Sequence, residues 1–336
     1  MRGDIAGTSE KSDSGLKRLV TSGMGVLSIR VPSDFVLARD VCSYGYFMLA
    51  PNQWDVQRQV LRRVLSMREG TVHSKPVGIE IAQRRQTLRV TLSREVSGEE
   101  RDAVRAQISR MLRLDESAER IAGFHARDPR FAKGGRGRIF RSPTLFEDVV
   151  KTVTSCNVQW PGTITMNRRL CEVLGSSIKV DGVTLYAFPT AAQMAKARAT
   201  TLRSRCRVGY RDERLVELAR LFTLPVRKGG IDQTWLEDTA TPDEQLFKAL
   251  VELPGIGPYA AANIMQLLGR YGRLPLDTEA ARHGREVLGF KGTAASVMRQ
   301  VRKHFAPFGA DAFRSYWFEM WRVYEAKRGP AWEWVR

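Results

Sequence analysis

The sequence lacks long apolar stretches: none of its 336 residues belongs to a run approaching the ~18–20 consecutive apolar residues that a membrane-spanning helix needs. The first 18 residues, MRGDIAGTSEKSDSGLKR, are polar and contain no apolar segment of the kind that a secretory signal carries. We therefore expect residues 1–24 to form a disordered polar tail, and we expect no association with membranes.

Cysteine and histidine are scarce as well, with four of each. Their spacing fits neither a zinc motif nor an iron–sulfur cluster, so we predict no metal site. Four cysteines also do not make a disulfide scaffold, and a reducing cytoplasm fits this usage best. The cysteines are Cys42, Cys156, Cys171 and Cys206. We expect His283 to occupy a surface position on a helix.

What the sequence has in excess is positive charge. Lysine and arginine outnumber aspartate and glutamate by 54 to 36, which gives a net charge of +18 and an isoelectric point near 10.2. Most of the surplus lies in residues 118–336, with 35 basic and 22 acidic residues. A merely solvated basic surface has the same composition, but nucleic acid is the natural partner of such a charge.

The spacing of apolar residues changes at about residue 117. Residues 25–117 contain four strand-like segments, at 26–31, 46–50, 77–82 and 87–92, and then a capped amphipathic helix at 98–113. Residues 118–336 show helical periodicity over 144–156, 163–174, 190–197, 211–222, 242–252, 258–269, 278–288, 293–305 and 311–327. The predicted fold class is α+β: a small antiparallel β-sheet with a helix, followed by a mostly α-helical domain.

The segment LPGIGP, residues 253–258, lies between two helical patterns. Gly255 and Gly257 have no side chains, so backbone amides there can approach a phosphate closely, while Ile256 would bury itself and fix the turn. An ordinary helix–helix turn is the alternative. Because a second helix starts at once with Pro258, we favour a DNA-binding hairpin with Leu253, Gly255, Ile256 and Gly257 as its contact residues.

Asp277 follows in the sequence LPLDT, just before another predicted helix. On its own it would be a helix N-cap. The hairpin LPGIGPYAAANI followed by this aspartate resembles the helix-hairpin-helix (HhH-GPD) DNA glycosylase superfamily and is similar to 3-methyladenine and 8-oxoguanine DNA glycosylases. The resemblance implies that the hairpin holds the lesion strand and that Asp277 is catalytic. It also implies a monomer whose partner is double-stranded DNA containing a damaged base.

Other segments carry the same resemblance, over most of the chain. They include 145–150, 155–159, 169–171, 188–190, 208–211 and 305–308. Residues 155–159 resemble the loop that probes the strand opposite the lesion, so Asn157 and Gln159 are predicted to contact DNA; an asparagine that bonds its own backbone is the alternative for Asn157. Trp160 is assigned to the base pocket, unless it is a core residue.

Tyr259 stands two residues after Gly257, where the resemblance places the lysine of those family members that also cut the DNA backbone. That lysine forms a Schiff base with the sugar, which a tyrosine cannot do. The resemblance therefore implies a monofunctional enzyme, in which Asp277 stabilises positive charge on the sugar or activates water. We assign Tyr259 to the base pocket; an aromatic that helps the helix to pack is the alternative.

The predicted function is base-excision repair of an alkylated or oxidised purine that is flipped out of the duplex. Aromatic residues suit a cationic alkylated base, which favours alkylated purines slightly. The alternatives are a non-catalytic helix-hairpin-helix DNA-binding protein and a lyase that uses Lys248 or Lys291, although neither lysine lies at the hairpin position. No cofactor is expected, except that the family hairpin often holds a monovalent cation through backbone carbonyls. We expect a cytoplasmic protein, associated with the nucleoid in a bacterium.

Overall fold

The computed structural model describes residues 25–67, 75–180 and 182–334, so the predicted tail at 1–24 lies outside the described residues. Five strands form an antiparallel sheet in the order β1-β5-β4-β3-β2. Their bounds are β1 Val26–Arg30, β2 Gln53–Asp55, β3 Val60–Leu65, β4 Val77–Arg84 and β5 Thr87–Leu92. A two-stranded hairpin, β6 Ser177–Val180 with β7 Val183–Tyr186, is inserted later in the chain.

Helices make up most of the remainder. They are α1 Leu37–Val41, α2 Gly98–Met111, α3 Ala118–Arg127, α4 Leu145–Ser155, α5 Trp160–Leu174, α6 Ala191–Ala195, α7 Ala199–Thr201, α8 Asp212–Thr223, α9 Gln233–Glu237, α10 Asp243–Val251, α11 Pro258–Leu267, α12 Thr278–Glu286, α13 Ala294–Phe305 and α14 Ala312–Arg328. The predicted α+β class is confirmed. None of the helices in the described ranges is both long and apolar enough to cross a membrane.

One predicted strand is wrong and strand β3 was not predicted, each for a physical reason. Residues 46–50 were expected to form a strand, but Gly45–Met48 is a 3-10 helix. Its apolar side chains are nearly all buried, so an apolar run in the sequence does not distinguish this helix from a buried strand. Strand β3 escaped prediction because it is buried on both faces. Arg62 and Arg63 are buried because they form ion pairs with Glu80 and Glu147. These two charged residues interrupt the run of apolar residues by which a fully buried strand is recognised in a sequence.

The apolar side chains form two clusters that do not follow the order of the chain. The first joins the inner face of the sheet and α2 to α12, α13 and α14, and the second joins α4, α5 and α8 to α10 and α11. The first cluster therefore contains side chains from both sides of residue 117, and the domain boundary that we placed there stays a prediction.

A buried ionic network fixes α14 against the end of α2. Glu116 accepts hydrogen bonds from Arg113 at 2.5 Å, from the hydroxyl of Tyr271 at 2.8 Å, and from Arg314 of α14. Burial alone would raise the pKa of Glu116, but the two guanidinium charges hold it at about 2. Since every charge in the network is paired, α14 keeps a fixed position, and one face of α14 borders the candidate site.

Candidate functional site

The turn between α10 and α11 is an exposed hairpin anchored by one buried side chain. Ile256 is buried in the second apolar cluster, and its amide donates to the carbonyl of Leu253 at 3.0 Å. Helix α11 starts with Pro258, and the amides of a first helical turn have no acceptor within their own helix. The hairpin can therefore offer backbone N–H groups to an anion, and its contact with a phosphate stays a prediction.

The two glycines of the turn have different reasons to be glycine. Gly255 has φ +77°, and a Cβ on it would lie 3.0 Å from Cδ of Arg214, so the turn itself needs glycine there. Gly257 has φ −91°, and no described heavy atom lies within 4 Å of an added Cβ. The protein alone does not require glycine at Gly257. Close approach of a ligand to the backbone would explain it.

The loop between α4 and α5 lies on the same surface as the hairpin. Asn157 is exposed with φ +51°, and its side-chain amide donates to the Tyr210 hydroxyl at 3.3 Å. The guanidinium of Arg211 donates to the carbonyls of Val153 and Cys156, which holds this loop in place. Gln159, also exposed, is the N-cap residue of α5.

Tyr210 is a surface residue that the sequence interpretation did not single out. It is 55% exposed, with the guanidinium groups of Arg211 and Arg214 at 4.5 and 5.8 Å from its ring centroid. Because Arg214 also packs beside Gly255, Asn157, Tyr210 and the hairpin form a continuous surface. The segment 208–211 was recognised as a turn, but no sequence signal distinguishes an exposed tyrosine there from a buried one.

Asp277 lies in the wall of a cavity of about 400 Å³. It is the N-cap of α12, as predicted, and its carboxylate accepts from the amide of Ala280 at 3.0 Å. This cap fixes the direction of the side chain. The cavity is lined mainly by aromatic side chains: Tyr44, Tyr46, Trp160, Tyr259, Phe313, Tyr316, Trp317, Trp321, Tyr324 and Trp334.

The pKa of the Asp277 carboxyl is raised above its ordinary value, chiefly because the group is partly buried. Hydrogen bonds from the Ala280 amide and the Tyr259 hydroxyl oppose that increase, and the charge of Glu279 adds to it. A carboxylate that is poorly solvated in this way interacts strongly with positive charge that develops next to it.

The structure brings Tyr259 and Trp160 into the cavity together with Asp277. Burial raises the pKa of Tyr259, and so does the charge of Asp277, whereas a hydrogen bond with Asn263 lowers it. The phenol is therefore neutral and can donate to the carboxylate. Trp160 lies against the backbone of Gly45, where an added Cβ would be 3.0 Å from the indole ring. Asn263 was missed because a polar residue inside a helix carries no signal of its own.

The sequence interpretation also missed a row of aromatic rings that lines the same cavity. Tyr44 lies 4.7 Å from Trp317, Trp317 lies 5.2 Å from Trp321, and Trp321 lies 5.2 Å from Trp334 (ring centroids). Trp317 and Trp321 are one helical turn apart on α14, a spacing equally typical of core residues. Only the three-dimensional structure places this row beside Asp277.

Three further predictions concern charged or ligand-forming residues. His283 was expected at the surface, but it is buried, and its Nε2 lies 2.8 Å from Glu319 of α14, so that expectation was wrong. Lys248 and Lys291 are exposed and do not line the cavity. Within the described ranges, no three His, Cys, Asp or Glu side chains come together as a metal site.

Only solved structures, among the known proteins compared with this chain, resemble it, and they identify its fold. No protein-family model matches the sequence, and no curated protein does so. Among solved structures, a 3-methyladenine DNA glycosylase from Archaeoglobus fulgidus matches with a TM-score of 0.67 and 20% identity, covering 89% of this chain and 99% of that one. An 8-oxoguanine glycosylase/lyase from Clostridium acetobutylicum in its apo form matches with a TM-score of 0.64 and 18% identity, covering 89% and 97%.

The same Clostridium enzyme in complex with double-stranded DNA containing cytosine opposite 8-oxoguanine matches with a TM-score of 0.65 and 17% identity, covering 91% of this chain and 98% of that one. These likenesses span about nine tenths of the chain. The predicted similarity to 3-methyladenine and 8-oxoguanine DNA glycosylases is therefore confirmed at the level of the fold.

Proposed function

We propose that this protein is a DNA glycosylase of base-excision repair, which removes a damaged purine from duplex DNA and leaves an abasic site. One observation carries the proposal: the partly buried carboxylate of Asp277, with the Tyr259 hydroxyl beside it, lies in the wall of an aromatic cavity of about 400 Å³. An exposed glycine hairpin begins the helix that carries Tyr259. A pocket for a flat base, a carboxylate and a phosphate-binding turn are the parts that base excision needs.

The reaction starts with extrusion of the nucleotide from the duplex. The hairpin amides around Gly257 hold the phosphate backbone of the lesion strand, which positions the strand without reading its sequence. Asn157 and Gln159 contact the opposite strand, where the asparagine offers both a donor and an acceptor to the unpaired base. Tyr210, exposed beside Asn157, supplies a ring against which a base can stack.

The extruded base then occupies the aromatic cavity, with its sugar next to Asp277. As the N-glycosidic bond breaks, the electron pair leaves with the base and positive charge develops on the sugar. The Asp277 carboxylate stabilises that charge and orients the attacking water, whose oxygen forms the new bond to the anomeric carbon while a proton passes to the carboxylate. The cap hydrogen bond from Ala280 keeps the carboxylate in place throughout.

The enzyme we propose is monofunctional. The described residues that line the cavity include no lysine, and Tyr259 occupies the place at which a Schiff-base lysine would be expected. Borohydride reduction during base release should therefore trap no covalent protein–DNA adduct. An adduct on a denaturing gel would contradict this part of the proposal, and a glycosylase/lyase of known activity on the same duplex serves as the positive control.

Alkylated purines are the substrate class we favour. A ring that carries positive charge gains attraction from the faces of the surrounding aromatic residues, about 0.5–2 kcal/mol for each suitable contact. Asp277 and Glu279, both in the cavity wall, add to that attraction. A neutral oxidised purine gains neither.

Base release from methylated duplex DNA, measured beside an 8-oxoguanine duplex, tests both the activity and the substrate class. We expect release from the methylated duplex and a slower reaction, or none, with 8-oxoguanine. If neither base is released although the protein binds both duplexes, the protein is a non-catalytic helix-hairpin-helix DNA-binding protein instead.

A further inference from the structure

The last described segment of the chain, Gly329–Trp334, folds back against the cavity. Gly329 has φ +78°, and this residue turns the chain as it leaves α14. The segment then forms a short 3-10 helix, Ala331–Glu333, and brings Trp334 to the cavity wall. Trp334 thereby extends the aromatic row formed by Trp317 and Trp321.

Several contacts fix this segment. The indole of Trp334 donates to the carbonyl of Gly329 at 2.8 Å, and the indole of Trp54 donates to the carbonyl of Trp332 at 2.8 Å. The amide of Ala331 donates to Glu325 at 3.0 Å, and the Ala331 side chain is fully buried. The position of Trp334 is therefore set by the turn, by α14 and by the N-terminal sheet.

Arg328, the last residue of α14, lies over the ring that this segment presents. Its guanidinium carbon is 5.2 Å from the centroid of Trp334. Arg328 is exposed, so it lies where the cavity opens to solvent. It is the one lysine or arginine among the described residues that line the cavity, and it forms no ion pair with any other described residue. Its charge is therefore available to a ligand at the cavity mouth.

We propose that Arg328, whose guanidinium lies over the ring of Trp334, binds a phosphate group next to the nucleotide whose base enters the cavity. This inference rests on the proposed function. A flipped nucleotide places its base inside a pocket and leaves its two phosphates at the entrance, which is where Arg328 lies. The planar guanidinium matches two phosphate oxygens at once, and its contact with the Trp334 ring restricts the positions that it can take.

The location at the mouth also agrees with a cationic substrate. A guanidinium deep in the cavity would repel an alkylated base, whereas one at the entrance meets the negative backbone first. Arg328 is thus a residue for positioning the flipped nucleotide. It should affect the affinity for flipped DNA more than the rate of the chemical step.

The test compares Arg328→Ala with Lys327→Ala, which removes an equal charge from the neighbouring exposed residue, one that does not line the cavity. Affinity is measured for an undamaged duplex and for a duplex that carries a tetrahydrofuran abasic analogue. We expect Arg328→Ala to weaken binding of the analogue duplex about tenfold, and binding of the undamaged duplex less than about twofold. Lys327→Ala should affect the two duplexes equally and weakly, and Arg328→Lys should restore part of the loss.

The role of the ring is tested by a double-mutant cycle with Trp334→Leu. If Trp334 acts by holding Arg328, its loss weakens binding of the analogue duplex in the wild-type background and has little further effect in Arg328→Ala. If Trp334→Leu weakened binding equally in the wild-type and Arg328→Ala backgrounds, Trp334 would not act by holding Arg328. Equal behaviour of Arg328→Ala and Lys327→Ala would overturn the phosphate site. Base release by the wild-type protein is measured separately, so failure of the proposed function is recognised independently of these affinities.

Discussion

The two sides of the candidate site differ in the groups that they would present to the DNA that we propose as the partner. The cavity wall presents side chains, most of them aromatic, from the first apolar cluster: Tyr44, Trp317, Trp321 and Trp334. The hairpin surface, anchored in the second cluster through Ile256, presents main-chain amides and glycine. A side-chain wall distinguishes one base from another by shape and charge, whereas a main-chain turn binds every sequence alike.

The difference predicts how each side responds to mutation. Changes in the cavity wall should alter the chemistry or the choice of base at nearly constant affinity for undamaged DNA. Changes at the hairpin should alter affinity for all duplexes and leave the intrinsic rate of base release unchanged. The following three experiments test this division, starting with the largest expected effect.

Asp277→Asn should lower the single-turnover rate of base release by about 10³-fold, because the charge that stabilises the sugar is lost. Asparagine still caps a helix, so α12 should remain intact. The folded state raises the pKa of this carboxyl, so it binds more protons than the unfolded state, and stability falls as pH rises above the ordinary aspartate range. At neutral pH the variant should therefore have a Tm equal to or above that of the wild type.

Asp232→Asn is the matched control, because Asp232 caps α9 in the same way, at 3.0 Å from the amide of Trp235, and is exposed away from the cavity. It should release base at the wild-type rate. Wild-type activity in Asp277→Asn would remove Asp277 from the mechanism. If the affinity of Asp277→Asn for undamaged DNA fell as much as its rate of base release, the cavity wall and the hairpin would not have separate functions.

Gly257→Ala should weaken binding of damaged and undamaged duplexes alike, by about tenfold, since a Cβ there would hold a phosphate away from the amides. The protein itself has room for that Cβ, so the free energy of unfolding should fall by less than about 1 kcal/mol, the usual size of an N-cap effect.

Gly255→Ala provides the contrast, because its φ of +77° should cost about 1–2 kcal/mol of unfolding free energy. Thermal unfolding and anisotropy titrations together distinguish the two glycines. A Gly257→Ala protein with wild-type affinity would show that the phosphate is not held at this turn.

Tyr259→Phe should give the smallest effect. The Tyr259 hydroxyl lowers the pKa of Asp277 by hydrogen bonding, so its removal should raise that pKa further. The acid limb of the pH–rate profile should then move to higher pH, since the ionised carboxylate loses a hydrogen bond that favours it over the protonated form. Tyr324→Phe, which removes a hydroxyl bonded to Glu279, should leave the limb in place. If the acid limb of Tyr259→Phe moved to lower pH, the Tyr259 hydroxyl would not be the group that lowers the pKa of Asp277.

The fold was largely predictable where the period of apolar residues was regular. Strand β5 has its predicted bounds at 87–92, and α2 is capped at its start as expected, by Ser97, which in the structure forms a capping box with Glu100. The prediction failed where burial on both sides removes the period, as in β3, and where a short strand pair is half exposed, as in β6 and β7. Pairing across the sheet is a non-local property that a single segment does not encode.

The candidate site was predictable only where a motif marked it. Asp277, Tyr259 and Trp160, which lie far apart in the sequence, do meet at one cavity. Their proposed roles, and the DNA contacts of the hairpin and of Asn157, stay predictions. Trp317 and Trp321 were missed because an aromatic residue on a helix face has the same pattern whether it packs in a core or lines a cavity, and Trp334 was missed because only the turn after α14 brings it to the cavity. The position of Arg328 at the cavity could not be predicted from the sequence, since it depends on the turn at Gly329 that brings Trp334 next to it.

The composition of the two apolar clusters has a consequence for how the protein is made. The first cluster contains Leu61 and Val90 from early strands and Phe313 and Ala331 from the end of the described chain. A ribosome adds about 5–20 residues per second, so the part of the first cluster that α12, α13 and α14 cover stays exposed for roughly 10–50 s after the sheet is made, although α2 follows the sheet at once. The buried residues of the second cluster all lie within residues 145–268, so this cluster can close earlier. We therefore expect the nascent sheet to depend on chaperones, and the aromatic cavity to be the last part of the molecule to assemble.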